Sequence, residues 1–133
     1  MQIDRSPGGS LFPYYYKDGE LFCLHFGSYH SDEEGVIAMM KAEEDYLNAK
    51  HRPMGVWVDL YETKLSDRVI RQLVEMLTHT SAYTLKLGFV GCSSIARWKI
   101  NSQIRKFSQL SSLPVKYFDD PEVAKTWLVS ELE

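Results

Sequence analysis

Between Pro53 and Phe118, three short apolar runs rich in β-branched residues (MGVWVDLY, TLKLGFVG and VKYF) alternate with segments whose apolar residues fall at helical spacing. No other feature restricts the fold as much, because strands that alternate with helices pair in parallel through right-handed crossovers. Pro53 bars the preceding helix from running into the first strand. After that strand, LSDRVIRQLVEMLTH places Leu65, Val69, Ile70, Leu73, Met76 and Leu77 on one helical stripe, with Ser66 or Asp67 as its cap. Ser94 to Leu110 is predicted helical, with Ala96, Ile100, Ile104 and Phe107 along one side. Pro121 suits the first turn of a last helix capped by Asp119 or Asp120, whose apolar face is Val123, Ala124, Trp127, Leu128 and Leu132.

Upstream, Asp18-Gly19 separates the aromatic runs LFPYYYK and ELFCLHFGSY, which predicts a hairpin with strands at about 12–17 and 20–28. SDEEGVIAMMKAEEDYLNAK follows as a helix, with Ser31 as cap and acidic residues in the first turn, where the helix dipole favours them. Its stripe is Val36, Met39, Met40, Glu43 and Leu47. Residues 1–11, with Pro7, Gly8, Gly9 and Ser10, read as a flexible lead-in, and residues 12–133 as one domain. The order is β-β-α-β-α-β-α-β-α, an α/β fold with a mixed sheet, an opening hairpin and covering helices. Partners and ligands of such sheets gather at the carboxyl ends of the strands. Here those loops are 27–32, 61–67, 91–94 and 118–120.

At 133 residues the chain is long enough to bury a core without staples. Its 15 basic and 18 acidic residues are interleaved, leaving no electrostatic footprint for nucleic acid. No run approaches the ~18 apolar residues of a membrane span, and Met1 to Ser10 lacks an apolar signal core. Cys23 and Cys92 have neither CxxC nor metal-ligand spacing, which suits a reducing compartment. The expectation is a soluble, cytoplasmic protein that needs no cofactor or metal.

The element order, the Val58-Asp59-Leu60 strand end followed by a short loop and a helix, and the closing YFDDPEVAKTWL together resemble the STAS domain of sulfate transporters and anti-sigma factor antagonists. The closing segment looks most like the compact SpoIIAA-like branch, with Asp119, Asp120, Ala124, Trp127 and Leu128 in the matching places. The resemblance covers about residue 12 to the end. It implies a bacterial regulatory domain that binds a kinase-like or anti-sigma-like protein and is switched by phosphorylation of a serine after the Asp-Leu strand. Ser66 stands close to that place, although the family's Asp-Ser-Ser-Gly pattern is replaced by Ser66-Asp67. A lipid-binding relative of similar topology leaves a small apolar ligand as the alternative.

Cys92 is the obvious nucleophile to test, because VGCSSIAR sets a cysteine between a strand and a helix with Arg97 beyond it. In cysteine-dependent phosphatases five residues separate cysteine from arginine; here there are four. One residue fewer turns the arginine by about 100° on a helix and breaks the anion cradle. Cys92 therefore reads as a loop residue, with Ser93 or Ser94 as cap. Asp59, at the end of an apolar strand, needs hydrogen bonds from the neighbouring loops. The expected contact surface for a partner comprises Tyr61, Glu62, Ser66, Asp67 and Arg68 with Cys92, Arg97 and Trp98, and none of these is assigned catalysis. Acidic residues in the first helix and basic ones from Arg97 to Lys106 also permit a homodimer.

Overall fold

The computed structural model describes residues 4–130, so Leu132 lies outside the described residues. The main sheet contains β3 (Tyr14–Tyr16), β4 (Gly19–His25), β5 (Met54–Asp59), β6 (Thr84–Val90) and β7 (Val115–Phe118), side by side in chain order. β3 and β4 form an antiparallel hairpin, and every later pairing is parallel. The connections are α1 (Glu33–Lys50), α2 (Asp67–His79) and α3 (Ser94–Ile104) with the short α4 (Ser108–Ser111), and α5 (Pro121–Val129) closes the chain. Upstream of the sheet, β1 (Asp4–Arg5) pairs antiparallel with β2 (Leu11–Phe12). The mixed α/β sheet with an opening hairpin, expected from the alternation, is what forms.

Side chains alternate between the two faces of each strand, and the two cores record it. Phe22 and Leu24 of β4, Val56 and Val58 of β5, and Leu87 and Phe89 of β6 pack with Val36, Met40, Leu73, Ile100 and their neighbours on α1 to α3. Leu21, Cys23, Trp57 and Val90 point the other way, onto Ala124 and Leu128 of α5. Three crossovers step in the same direction across the sheet, and their common right-handedness puts their helices on one face. Among the described residues, α5 is the one helix on the other.

That single nine-residue helix comes unusually close to the strands. A Cβ at Gly55 would lie 3.1 Å from the Leu128 carbonyl oxygen, one at Gly88 3.3 Å from Leu128 Cδ1, and one at Gly19 2.6 Å from Val129 Cβ. Gly55 is paired with Leu21 and Gly88 with Trp57, so the glycines make a trough between larger side chains. From the floor of the sheet Lys86, itself buried, donates to the carbonyls of Trp127 at 2.7 Å and Ser130 at 3.0 Å. A cation there complements the negative end of the α5 dipole.

Several local expectations are corrected. The hairpin turn is Lys17-Asp18, one residue earlier than read, with Lys17 at φ 52° and Gly19 already in β4. Gly19 is needed against Val129, and the turn moves accordingly. Asp32 caps α1 in place of Ser31, its Oδ1 accepting from Gly35 N–H at 2.9 Å. The predicted 94–110 helix stops at Ile104, because Phe107 leaves helical geometry to start α4.

Residues 4–11 of the segment read as a lead-in, with Phe12 after them, form the β1–β2 hairpin. It is pinned from below by Glu43 of α1, whose Oε2 accepts from Ser6 Oγ at 2.9 Å. Glu43 is fully buried, and burial pushes its carboxyl pKa up.

Filling the trough should cost what over-packing a core costs. Gly55→Val is expected to lose about 1–3 kcal/mol, read as a lower urea midpoint with an unchanged slope.

Candidate functional site

The chain leaves β4, β5, β6 and β7 at one edge of the sheet, and the four exit loops are tied to each other. Past β4, Ser28 N–H donates to the Tyr61 carbonyl at 2.6 Å and His30 N–H to that of Glu62 at 2.8 Å, while Lys64 N–H donates back to His30 at 2.7 Å. Thr63 Oγ1 joins the same pair of loops, donating to the Phe26 carbonyl at 2.6 Å and accepting from Tyr29 N–H at 3.1 Å. The β4–β5 ladder thus continues beyond the strands, and Ser28, His30 and Glu62 take positive φ to keep it in register. Leu60 N–H donates to Val90, and Gly91, at φ 84°, passes so near Tyr61 that a Cβ would meet its backbone nitrogen at 2.6 Å. Tyr61 completes the chain of ties, its hydroxyl donating to the Asp119 carbonyl at 2.8 Å in the last loop.

Arg97 is a second clamp on this edge. Its Nε donates to the Cys92 carbonyl at 3.2 Å, its Nη2 to Asp119 Oδ1 at 2.9 Å, and its guanidinium lies over the Tyr117 ring at 5.6 Å. The side chain is therefore committed between loops and does not turn towards the Cys92 thiol to make an anion cradle. Ser93, rather than Ser94, caps α3, accepting from Ala96 N–H at 3.2 Å. Cys92 itself is buried in the core under α1 to α3, and burial pushes its thiol up to about 11 even though Arg97 opposes the shift. What Cys92 gives the edge is its carbonyl, which accepts from Arg97, while its sulfur is buried.

Asp59 satisfies its carboxylate locally. Oδ1 accepts from Tyr61 N–H at 2.9 Å and Oδ2 lies 3.8 Å from His25 Nδ1. The donor is the loop just after its own strand.

Ser66 is the cap of α2, its Oγ accepting from Val69 N–H at 3.2 Å, and it is half-buried. Asp67 beside it reaches across to Lys99 of α3 at 3.0 Å. Arg68 turns the other way, to Glu34 at 2.7 Å and Glu33 at 3.5 Å on α1, so it stands apart from the Cys92 loop with which the sequence grouped it. Those pairs also use up acidic charge at the start of α1.

Between the loop that follows β5 and the start of α3 runs a cleft of about 260 Å³ lined by Glu62, Thr63, Leu65, Ser93, Ile95 and Lys99. A groove of about 340 Å³, lined by Asp67, Arg71, Trp98, Lys99 and Gln103, adjoins it at Lys99. Two large apolar side chains stand on the α3 side: Ile95 is 69% exposed and Trp98 70%. They are three residues apart, which on a helix means one face. Trp98 was expected here; Ile95 and Lys99 were not. Ile95 had a signal, since it is an apolar residue out of phase with the buried stripe of Ala96, Ile100 and Ile104.

Among the described residues no group of three or more His, Cys, Asp or Glu side chains is arranged to hold a metal ion, and no helix is long and apolar enough to cross a membrane. Comparison with protein-family models, with curated proteins and with solved structures finds no match.

The thiols should behave as buried ones. Cys92 is held at about 11 and Cys23 at about 12, against an ordinary 9.0, so both should resist iodoacetamide at pH 8 in the native protein and react once urea unfolds it. A thiol with a raised folded pKa contributes stability that is fully present below its unfolded pKa and lost as pH rises through the folded value. Urea midpoints should accordingly fall between about pH 9 and pH 11, and a Cys92→Ala variant should show a smaller fall over that window.

Proposed function

We propose that this protein is a non-catalytic regulatory domain of the STAS kind that binds another protein through the start of α2 and the outer face of α3. The observation that carries this reading is the exposed Ile95–Trp98 pair beside a polar rim of Glu62, Asp67, Arg71 and Lys99. Apolar and aromatic residues at the centre of a patch, with charged residues around them, are the anatomy of a protein interface. The partner is a regulatory protein, kinase-like or anti-sigma-like, as the resemblance implies.

Ser66 caps α2 next to Asp67 of that rim, and a phosphoryl group on its Oγ would bring about two negative charges to a helix N-terminus, which the dipole accepts. The same charge would compete with Asp67 for Lys99 and change the field that a partner meets. That is how the switch would work in this chain, with Ser66-Asp67 in place of the family's serine pair.

A small apolar ligand is the second reading, and one observation favours it. A shallow groove of about 540 Å³ on the outer side of α5 is lined by Tyr16, Phe118, Val123 and Trp127. The space between the sheet and α1 to α3, by contrast, is filled by Phe22, Phe26, Phe89 and Leu73, all fully buried. Native mass spectrometry of freshly purified protein separates the two readings: an adduct of lipid mass supports the ligand.

Affinity capture from cells of the source organism tests the interface directly, with wild type, Trp98→Ala and Ser66→Asp as baits. One regulatory protein should be retained by wild type and lost with both variants, Trp98→Ala weakening it by about 2 kcal/mol or more. A partner held equally by all three baits overturns the proposed surface.

A further inference from the structure

On the opposite face of the sheet, where the β1–β2 hairpin meets α5, lies a cleft of about 290 Å³ lined by Leu11, Tyr14, Cys23, His25 and Lys125 together with Gly9 and Ser10. It shares no residue with the α2–α3 groove. His25 ends β4 and Asp59 ends β5, so the cleft opens at the carboxyl edge, where α/β sheets receive ligands.

Two side chains that line the cleft, Lys125 and His25, carry nitrogen donors. Lys125 Nζ lies over the rings of Tyr14 at 5.1 Å and Trp57 at 5.0 Å, its side chain only 14% exposed, and the carboxylate it reaches is that of Glu122 at 3.5 Å. The Trp57 indole N–H is buried without an acceptor, a costly arrangement for a donor. The Trp57 ring packs against both His25, at 5.3 Å between centroids, and Lys125, the two residues that bring the cleft up to it. Asp59 is the carboxylate at this end of the cleft, and it is already engaged by Tyr61 N–H and faces His25. The Cys23 thiol, pushed up to about 12 by burial, adds no charge.

Of the side chains that line the cleft, the Lys125 cation, held over the Tyr14 and Trp57 rings, and the His25 imidazole edge are complementary to an anionic group, while Leu11 and Tyr14 supply an apolar wall. The volume is at the small end of ligand pockets. We propose that this cleft binds a small organic anion, a carboxylate carried on a planar apolar body about the size of benzoate.

The three tryptophans give three indole N–H resonances in an ¹⁵N-labelled sample, and Trp57→Phe assigns the one that reports on the cleft. Titration with sodium benzoate should shift the Trp57 indole signal saturably and leave that of Trp98 in place. Lys125→Met, which keeps the packing on Tyr14 and Trp57, should weaken binding about tenfold or more by removing the charged donor. Should that variant fail to fold, His25→Ala, at a half-exposed side chain, should weaken it severalfold. Inorganic phosphate should leave the Trp57 signal unmoved. Parallel drift of all three indole signals, an unchanged affinity in the variants, or a phosphate response equal to that of benzoate would each overturn the proposal.

Discussion

Three parallel crossovers that all step the same way across the sheet put α1, α2 and α3 on one face and leave α5, among the described residues, as the one helix on the other. The crowded face is a conventional core, with Phe22, Phe26, Phe89, Ile70 and Leu73 fully buried between strands and helices. The opposite face has nine helical residues to cover five strands, and it holds them by proximity. Gly19, Gly55 and Gly88 let α5 sink between Leu21 and Trp57, and Lys86 anchors its carboxyl end from beneath. Incomplete cover also explains why the cleft at Lys125 exists: the β1–β2 hairpin and the flank of α5 meet over the sheet without closing.

The same topology brings every exit loop to one edge, where loop-to-loop hydrogen bonds replace the freedom such segments usually keep. Ordering a residue costs on the order of 1–2 kcal/mol in backbone entropy, and folding has already met that cost at 26–32, 60–66 and 91–93. A partner that docks against this edge meets a surface that is ordered beforehand, which leaves more of the contact energy for affinity. Arg97 matters as a strut between the Cys92 carbonyl, Asp119 and Tyr117, so the element that carries Ile95 and Trp98 is braced against the last loop.

Much of the fold was legible because periodicity survives tertiary structure. The β5, β6 and β7 runs, the α2 stripe and the Pro121 start of α5 lie where the spacing places them. What escaped were effects of contact between distant segments. The hairpin turn moved to Lys17-Asp18 because Gly19 is needed under Val129, and residues 4–12 took structure because Glu43, an acid in an apolar stripe, had to find Ser6. At the edge, loop position and composition place Ser66 and Asp67 at the start of α2 and Trp98 early in α3, where the structure has them. Arg68 was misgrouped because its partner, α1, is remote in sequence, and Cys92 because a residue beside a loop is easily taken for an exposed one. The cleft at Lys125 draws on four separate segments and had no local signature.

The central claim is that the Ile95–Trp98 face of α3 is where another protein docks. A photoreactive benzophenone side chain placed at position 98, with the same group at the exposed position 85 at the opposite end of the sheet as reference, tests it in intact cells of the source organism. The account predicts a discrete cross-linked protein from position 98 that is absent from position 85. Cross-linking that is equal at the two positions, or absent from position 98, would contradict it.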